Sequence, residues 1–194
     1  MATFDYVTYN PNAGASAPVI QMGSGTAPNP LAIHILSTTE QGYIQGNDPA
    51  SIVIDATTGA VSANANFWTL RGPHYIKKQI ALVEAGYLGA VTSPYPFTTS
   101  AGVSSTYAMD SASQFTYSQA FAKYVQNGQA LPTNFTIRDA NKVPQAFTVA
   151  DIENLYNGYS NFFQTCNAAF DTLEENIKAA TSLSNCQSYV WVTP

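Results

Sequence analysis

Charge is what this sequence has least of. Only 10% of its 194 residues are Asp, Glu, Lys or Arg, against roughly 25% in ordinary soluble domains. Ala, Ser, Thr, Asn, Gln and Tyr stand where charges would be, and such a surface suits a permanent assembly. All seven basic residues fall at or after Arg71, and the first seventy residues carry only Asp5, Glu40, Asp48 and Asp55 as charges. A phosphate-binding surface cannot be built there, which excludes nucleic acid as a partner of the first half. The later cluster of Arg71, Lys77 and Lys78 has no Gly-rich loop before it and reads as a solvated helix face. There is no run of about eighteen apolar residues, so no membrane span is expected. The start, MATFDYVTYN, has neither the basic region nor the apolar core of an export signal, and the expectation is a soluble protein that is not exported.

Cysteine and histidine are also scarce, with two of each. Cys166 and Cys186 form no metal pattern. If a helix runs to Thr181, Cys166 lies about 22 Å back along it and the next five residues reach at most roughly 17 Å, so two free thiols are expected. His34, in a strand, and His74, at a helix start, have no nucleophile motif beside them and no carboxylate at a ligand spacing. Both read as structural. Glu174 and Glu175 point to different faces of a helix. Glycoside cleavage would need two carboxylates facing across a cleft, for which Asp110 and Asp139 are the pair the sequence leaves open. No catalytic residue, metal or cofactor is expected, and the chain does not read as an enzyme.

What the sequence does have is the run from Thr148 to Thr181. Ile152, Leu155, Tyr156, Tyr159, Phe162, Phe163, Cys166, Ala169, Phe170, Leu173 and Ile177 recur at threes and fours, which predicts one long amphipathic helix. Thr148 caps it, with Asp151 three residues on. Asp151 and Glu153 near the start and Lys178 near the end follow the order the helix dipole favours. Gly158 is a local cost of about 1 kcal/mol against alanine.

Before that helix the chain reads as α+β: a small β-rich N-terminal unit with long loops (1–70), a connector helix (71–90), and a ββαββα domain (91–194) closed by the long helix. In the first unit, TFDYVTY (3–9) and LAIHILS (31–37) read as strands, and the Gly- and Pro-rich stretches between them as loops flanking only a short apolar Val19-Ile20. SIVID (51–55) and AVSAN (60–64) form a tight hairpin with Gly59 at a positive φ. With few bulky residues, this unit is expected to have little core of its own. The connector helix opens at Pro73 and ends at Gly86 and Gly89. Next come a hairpin around Ala101-Gly102, a helix capped by Asp110 and ended by Asn127-Gly128, and a second hairpin around Ala140-Asn141. The two hairpins are expected to share one antiparallel sheet, with both helices on a single face.

The stretch from Ile76 to Trp191 resembles an uncharacterised C-terminal domain family of small tail-fibre-like proteins of bacteriophages and prophages. The residues that carry the resemblance are the IKKQI helix, the hairpin PFTTSAGVSSTYAMD, the helix beginning DSAS, the hairpin FTIRDANKVPQAFT and the closing tail NIKAATSLSNCQSYVW. In that tail Ile177, Ala179, Ala180, Thr181, Leu183 and Trp191 match the family's ending. The resemblance implies a structural protein of the phage virion, made in the bacterial host cytoplasm. It would be a small fibre-like or adaptor protein of the tail or baseplate, with other virion proteins as partners and a homo-oligomeric, trimeric state. A tail-fibre assembly chaperone and a receptor (glycan)-binding module are the alternatives. The twelve tyrosines and ten phenylalanines serve either reading, since aromatic rings fill interfaces as readily as they bind sugars. Tyr159, Phe162, Phe163 and Phe170 on the long helix are the candidate subunit interface. Tyr95, Phe97 and Tyr107 on the first hairpin are the candidate glycan contact.

Overall fold

The structure, a computed structural model, describes residues 6–14, 16–24 and 33–194. The opening of the first expected strand (3–5), part of the second loop (25–30) and the start of LAIHILS (31–32) lie outside the described residues. The chain is α+β with a long C-terminal helix, as its pattern indicates. It divides into two compact units, one of Met1–Gln79 with Ile177–Ser188 and the other of Ile80–Asn176 with Tyr189–Pro194. The expected division at 70 and 90 is therefore displaced. The boundary falls within the helix that spans Phe67–Thr92, and a late segment of the chain belongs to the first unit.

The first unit is built on a five-stranded antiparallel sheet of β1 (Tyr6–Tyr9), β2 (Ala17–Gly23), β3 (Ile33–Ile35), β4 (Ile52–Ile54) and β5 (Val61–Ala63), in the order β3-β1-β2-β4-β5. Expected as a loop with a short apolar step, β2 is a full strand: Ala17 and Val19 are buried while Pro18 and Ile20 face out, the period of two a strand requires. Ala17 pairs with Ile54, which pairs in turn with Val61. Together with Val7, Val19, Leu36 and Ile52 these residues form the unit's own buried cluster. The expectation of little core is corrected by this cluster, which many small side chains supply in place of a few large ones. The β4–β5 turn places Gly59 at φ +75°, and Asp55 accepts the Thr57 and Thr58 amides at 2.8 and 3.2 Å.

A short helix, α1 (Thr38–Gln41), is closed by a capping box. Ser37 Oγ accepts from the Glu40 amide, and the Glu40 carboxylate accepts from the Ser37 amide at 2.7 Å. The helix α2 (Phe67–Thr92) is 26 residues long, beginning before Pro73 and running through Gly86 and Gly89. In the first unit Phe67 and Tyr75 are buried from it. The last helix, α5 (Leu183–Ser188), buries Leu183 and Cys186. The Trp68 indole N–H donates to the Ala180 carbonyl at 3.0 Å.

In the second unit β6 (Tyr95–Thr98) pairs with β7 (Ser104–Tyr107), and β8 (Thr136–Arg138) with β9 (Pro144–Ala146). They remain two separate two-stranded sheets, which corrects the single sheet expected. Between them the Ala140 amide donates to Thr106 O at 2.8 Å, and Ser105 Oγ donates to Asp139 at 2.8 Å. The helix α3 (Ser111–Ala120) starts at Asp110, which accepts the Ser113 amide at 2.9 Å. It continues as a wider π turn over Phe121–Gln126 and stops at Asn127 and Gly128, the latter at φ +62°.

The long helix α4 spans Val149–Lys178, three residues short of Thr181. Its cap is reciprocal: the Asp151 amide donates to Thr148 Oγ1 at 3.2 Å, and the Thr148 amide donates to Asp151 Oδ2 at 2.8 Å. Ile152 and Leu155 join Tyr107, Met109, Tyr117, Ala120, Tyr124, Ile137 and Phe147 in the unit's core. Further along, Cys166 is fully buried.

Candidate functional site

The surfaces of the second unit follow from how α4 spends its apolar stripe. Tyr159 packs against the core and meets Tyr156 edge-on. Phe162 lies 6.0 Å from the ring of Tyr95, and Phe170 lies 5.2 Å from that of Tyr87. The Tyr87 hydroxyl donates to Asn167 at 2.5 Å. Of the four candidate interface residues, Phe163 alone is exposed, at 37%. At 3.6 residues per turn it falls at one edge of the stripe, while Thr165, Ala168 and Thr172 lie beyond the other edge.

That other edge forms a shallow groove of about 530 Å³. Thr165, Ala168, Ala169, Thr172 and Leu173 of α4 make one wall, and Val190, Val192 and Pro194 of the tail make the other. Val190 and Val192 are 58% and 73% exposed. Small residues on the helix let a partner backbone come close, and the tail supplies aliphatic surface beside them. Isolated exposed valines would need no explanation, but a contiguous apolar strip marks an interaction surface. Neither tail valine was singled out by sequence reasoning, because the tail has no periodicity to read.

Two of the three hairpin aromatics are taken up by packing. Tyr107 is fully buried, and Phe97 stacks on Phe147 at 5.8 Å and meets Tyr107 edge-on at 6.0 Å. Tyr95 is occupied by Phe162 and by Gly158, where an added Cβ would lie 2.7 Å from its hydroxyl. Phe97 and Tyr107 are therefore packing contacts, while Tyr95 lines, with Pro94, Pro96 and Phe162, a cavity of about 320 Å³. That close approach also explains why α4 tolerates a glycine. Burial pushes the Tyr107 hydroxyl up to about 12, with smaller contributions from Asp139, Tyr117 and Asp151, so it does not titrate near neutrality.

The titratable groups are tied into structure. Asp139 accepts from Ser105, from the Asn141 and Val143 amides at 2.9 Å and from Gln145 at 3.3 Å. The Ser105 bond above all, with the Val143, Gln145 and Asn141 bonds, holds its carboxyl below the usual range against the effect of burial. Asp110 is held down by the Ser113 amide and hydroxyl. A glycosidase acid needs the opposite shift, a carboxyl that keeps its proton near neutrality. In the first unit Arg71 Nε lies 2.6 Å from Asp48, which also accepts from Tyr75. Burial would raise Asp48, but Arg71 and the Ala50 amide lower it further than burial raises it. His34 Nε2 sits 2.9 Å from Glu40. His74 packs edge-on to Tyr75.

Cys166 and Cys186 are free and buried, and burial raises both thiols. Among the described residues no three His, Cys, Asp or Glu side chains converge as a metal site, and no helix is long and apolar enough to cross a membrane. What the second unit presents along α4 is an exposed, largely apolar groove. Comparison with family models, with curated proteins and with solved structures gives no match to this chain.

Proposed function

We propose that this chain is a structural component of a bacteriophage virion, a small fibre-like or adaptor protein of the tail or baseplate. The observation that carries the reading is the apolar strip of the second unit, the α4 groove with Val190 and Val192 beside it, on a chain with only 10% charged residues. A protein that works free in solution gains from charge, whereas one held permanently against neighbours gains from neutral and apolar surface. The resemblance of the stretch from Ile76 to Trp191 to the tail-fibre-like family is the second support for this reading. In this reading the β-rich first unit docks onto the particle, and the second unit oligomerises or holds another fibre through α4.

Mass spectrometry of purified particles tests it. The chain should be present in fixed stoichiometry to the other tail proteins. Its absence from finished particles, together with its recovery bound to a fibre protein in infected cells, would instead identify an assembly chaperone.

A further inference from the structure

Asparagine is followed by glycine at two places in the sequence, Asn127-Gly128 and Asn157-Gly158. The pair matters chemically because the amide nitrogen of the second residue can attack the side-chain carbonyl of the first, and glycine, with no Cβ, leaves that approach open. Both asparagines are exposed, so access to water does not separate them. The backbone does.

Asn157-Gly158 lies inside α4. The Gly158 amide is held in the helix ladder, donating to the carbonyl four residues back, and ring closure would need Asn157 to leave its helical ψ. The Tyr95 side chain also closes over this glycine, since a Cβ there would stand 2.7 Å from the Tyr95 hydroxyl. Turning this peptide bond means opening α4 near its first third.

Asn127-Gly128 stands where the π turn ends. Asn127 has φ −90° and ψ −3°, and Gly128 has φ +62° with nothing within 4 Å of the place its Cβ would take. The amides on either side of Gly128 are bonded, Asn127 to Ala122 O at 3.0 Å and Gln129 to Lys123 O at 3.3 Å. Among the described residues neither the Gly128 amide nor the Asn127 side chain has a hydrogen-bond partner. The amide that would act as the nucleophile is therefore the one this turn leaves to water.

We propose that Asn127 is a site of spontaneous deamidation and isomerisation. The Gly128 amide gives its proton to solvent base, and its nitrogen bonds to Cγ of Asn127. The Cγ–Nδ2 bond then breaks and the side-chain nitrogen leaves as ammonia, taking up a proton from water. The product is a cyclic imide, which water opens at either carbonyl. Breaking the Cγ–N bond gives aspartate, and breaking the backbone C–N bond gives isoaspartate, in which the chain runs through Cβ and Cγ. Both products put a carboxylate at the C-terminal end of a helix, where the dipole disfavours negative charge. Isoaspartate also inserts an extra backbone carbon between the Asn127 and Gln129 amides, so their bonds to Ala122 and Lys123 cannot both keep their geometry.

Peptide mapping by mass spectrometry tests this on the full chain, incubated folded in mildly alkaline buffer and, in parallel, unfolded in guanidinium chloride. In the folded chain the peptide carrying Asn127 should convert to a mixture of aspartate and isoaspartate. Asn157 should convert slower by roughly a hundredfold or more, because its reaction waits on local opening of α4. In guanidinium chloride both should convert, and the gap between them should close. Three results would each overturn the proposal: an Asn127 that stays intact in the folded chain, aspartate formed without isoaspartate, or a gap between the two sites that survives unfolding.

Discussion

Gly86 of α2 is the seat of Trp191. A Cβ at position 86 would lie 2.7 Å from both Cβ and Cγ of the tryptophan, closer than carbon atoms pack, and the indole also meets Tyr87 edge-on at 5.8 Å. The clash would fall at the root of the side chain, which cannot swing away without moving the tail. Helix propensity alone favours Gly86→Ala by about 1 kcal/mol. The expected outcome is nevertheless a loss of about 1 to 3 kcal/mol, the range for overpacking a filled site. In a Trp191→Ala background the same substitution should become stabilising, and thermal unfolding of the four proteins in this cycle measures the reversal.

Tyr107 carries a cost that its position does not recover. The ring is fully buried among Phe97, Phe147 and their neighbours, and its hydroxyl has no hydrogen-bond partner among the described residues. Tyr107→Phe keeps the packing and removes the unpartnered group. Denaturant unfolding should show a gain of about 1 kcal/mol. A loss of that size would mean that the hydroxyl has a bound partner.

Acid should weaken both units through depressed carboxylates. In the first unit this is Asp48 with Arg71, Ala50 and Tyr75. In the second it is Asp151, which accepts from the Thr148 amide and hydroxyl and from the Ser100 amide and hydroxyl at 2.6–3.0 Å. Burial works to raise Asp151, but the Thr148 and Ser100 bonds leave it below its ordinary 3.8. A folded pKa below the unfolded one gives stability that is present above the unfolded value and is lost as pH falls through the folded value. Tm should therefore be level from neutrality down to about pH 4 and should fall below it. Asp151→Asn should cost about 2 kcal/mol at neutral pH and flatten the acid limb of the second unit's melting.

Local signals were legible in the sequence, and signals that depend on distant partners were not. Asp110, Thr148 with Asp151, and Gly59 each act within four residues, so the caps and the β4–β5 turn could be read directly. The glycines of α2 misled because Gly86 answers to Trp191, a hundred residues away in sequence, and not to the end of its own helix. Pro18 hid β2, which pairs with β1 from Val19 to Gly23 and with Val53 and Ile54 of β4 through Ala17 and Pro18. The aromatic hairpin was legible as a cluster but not as a buried one, since alternation along Tyr95 and Phe97 does not say what lies above the rings. The left-handed turn at Lys142 was invisible for a related reason: only the folded chain shows that a lysine holds a glycine's place.

The central claim, a permanent assembly built through α4, is tested most directly by light scattering of the purified chain over a range of concentrations. Burying Val190 and Val192 beside the α4 groove contributes on the order of 1.5 to 3 kcal/mol for each side chain in each subunit. The account expects the mass of a homo-oligomer, a trimer, persisting on dilution, and expects Val192→Asp, in the groove wall, to give folded particles of one chain with unchanged circular dichroism. A mass of one chain for the unmodified protein at the highest concentration reached would contradict it.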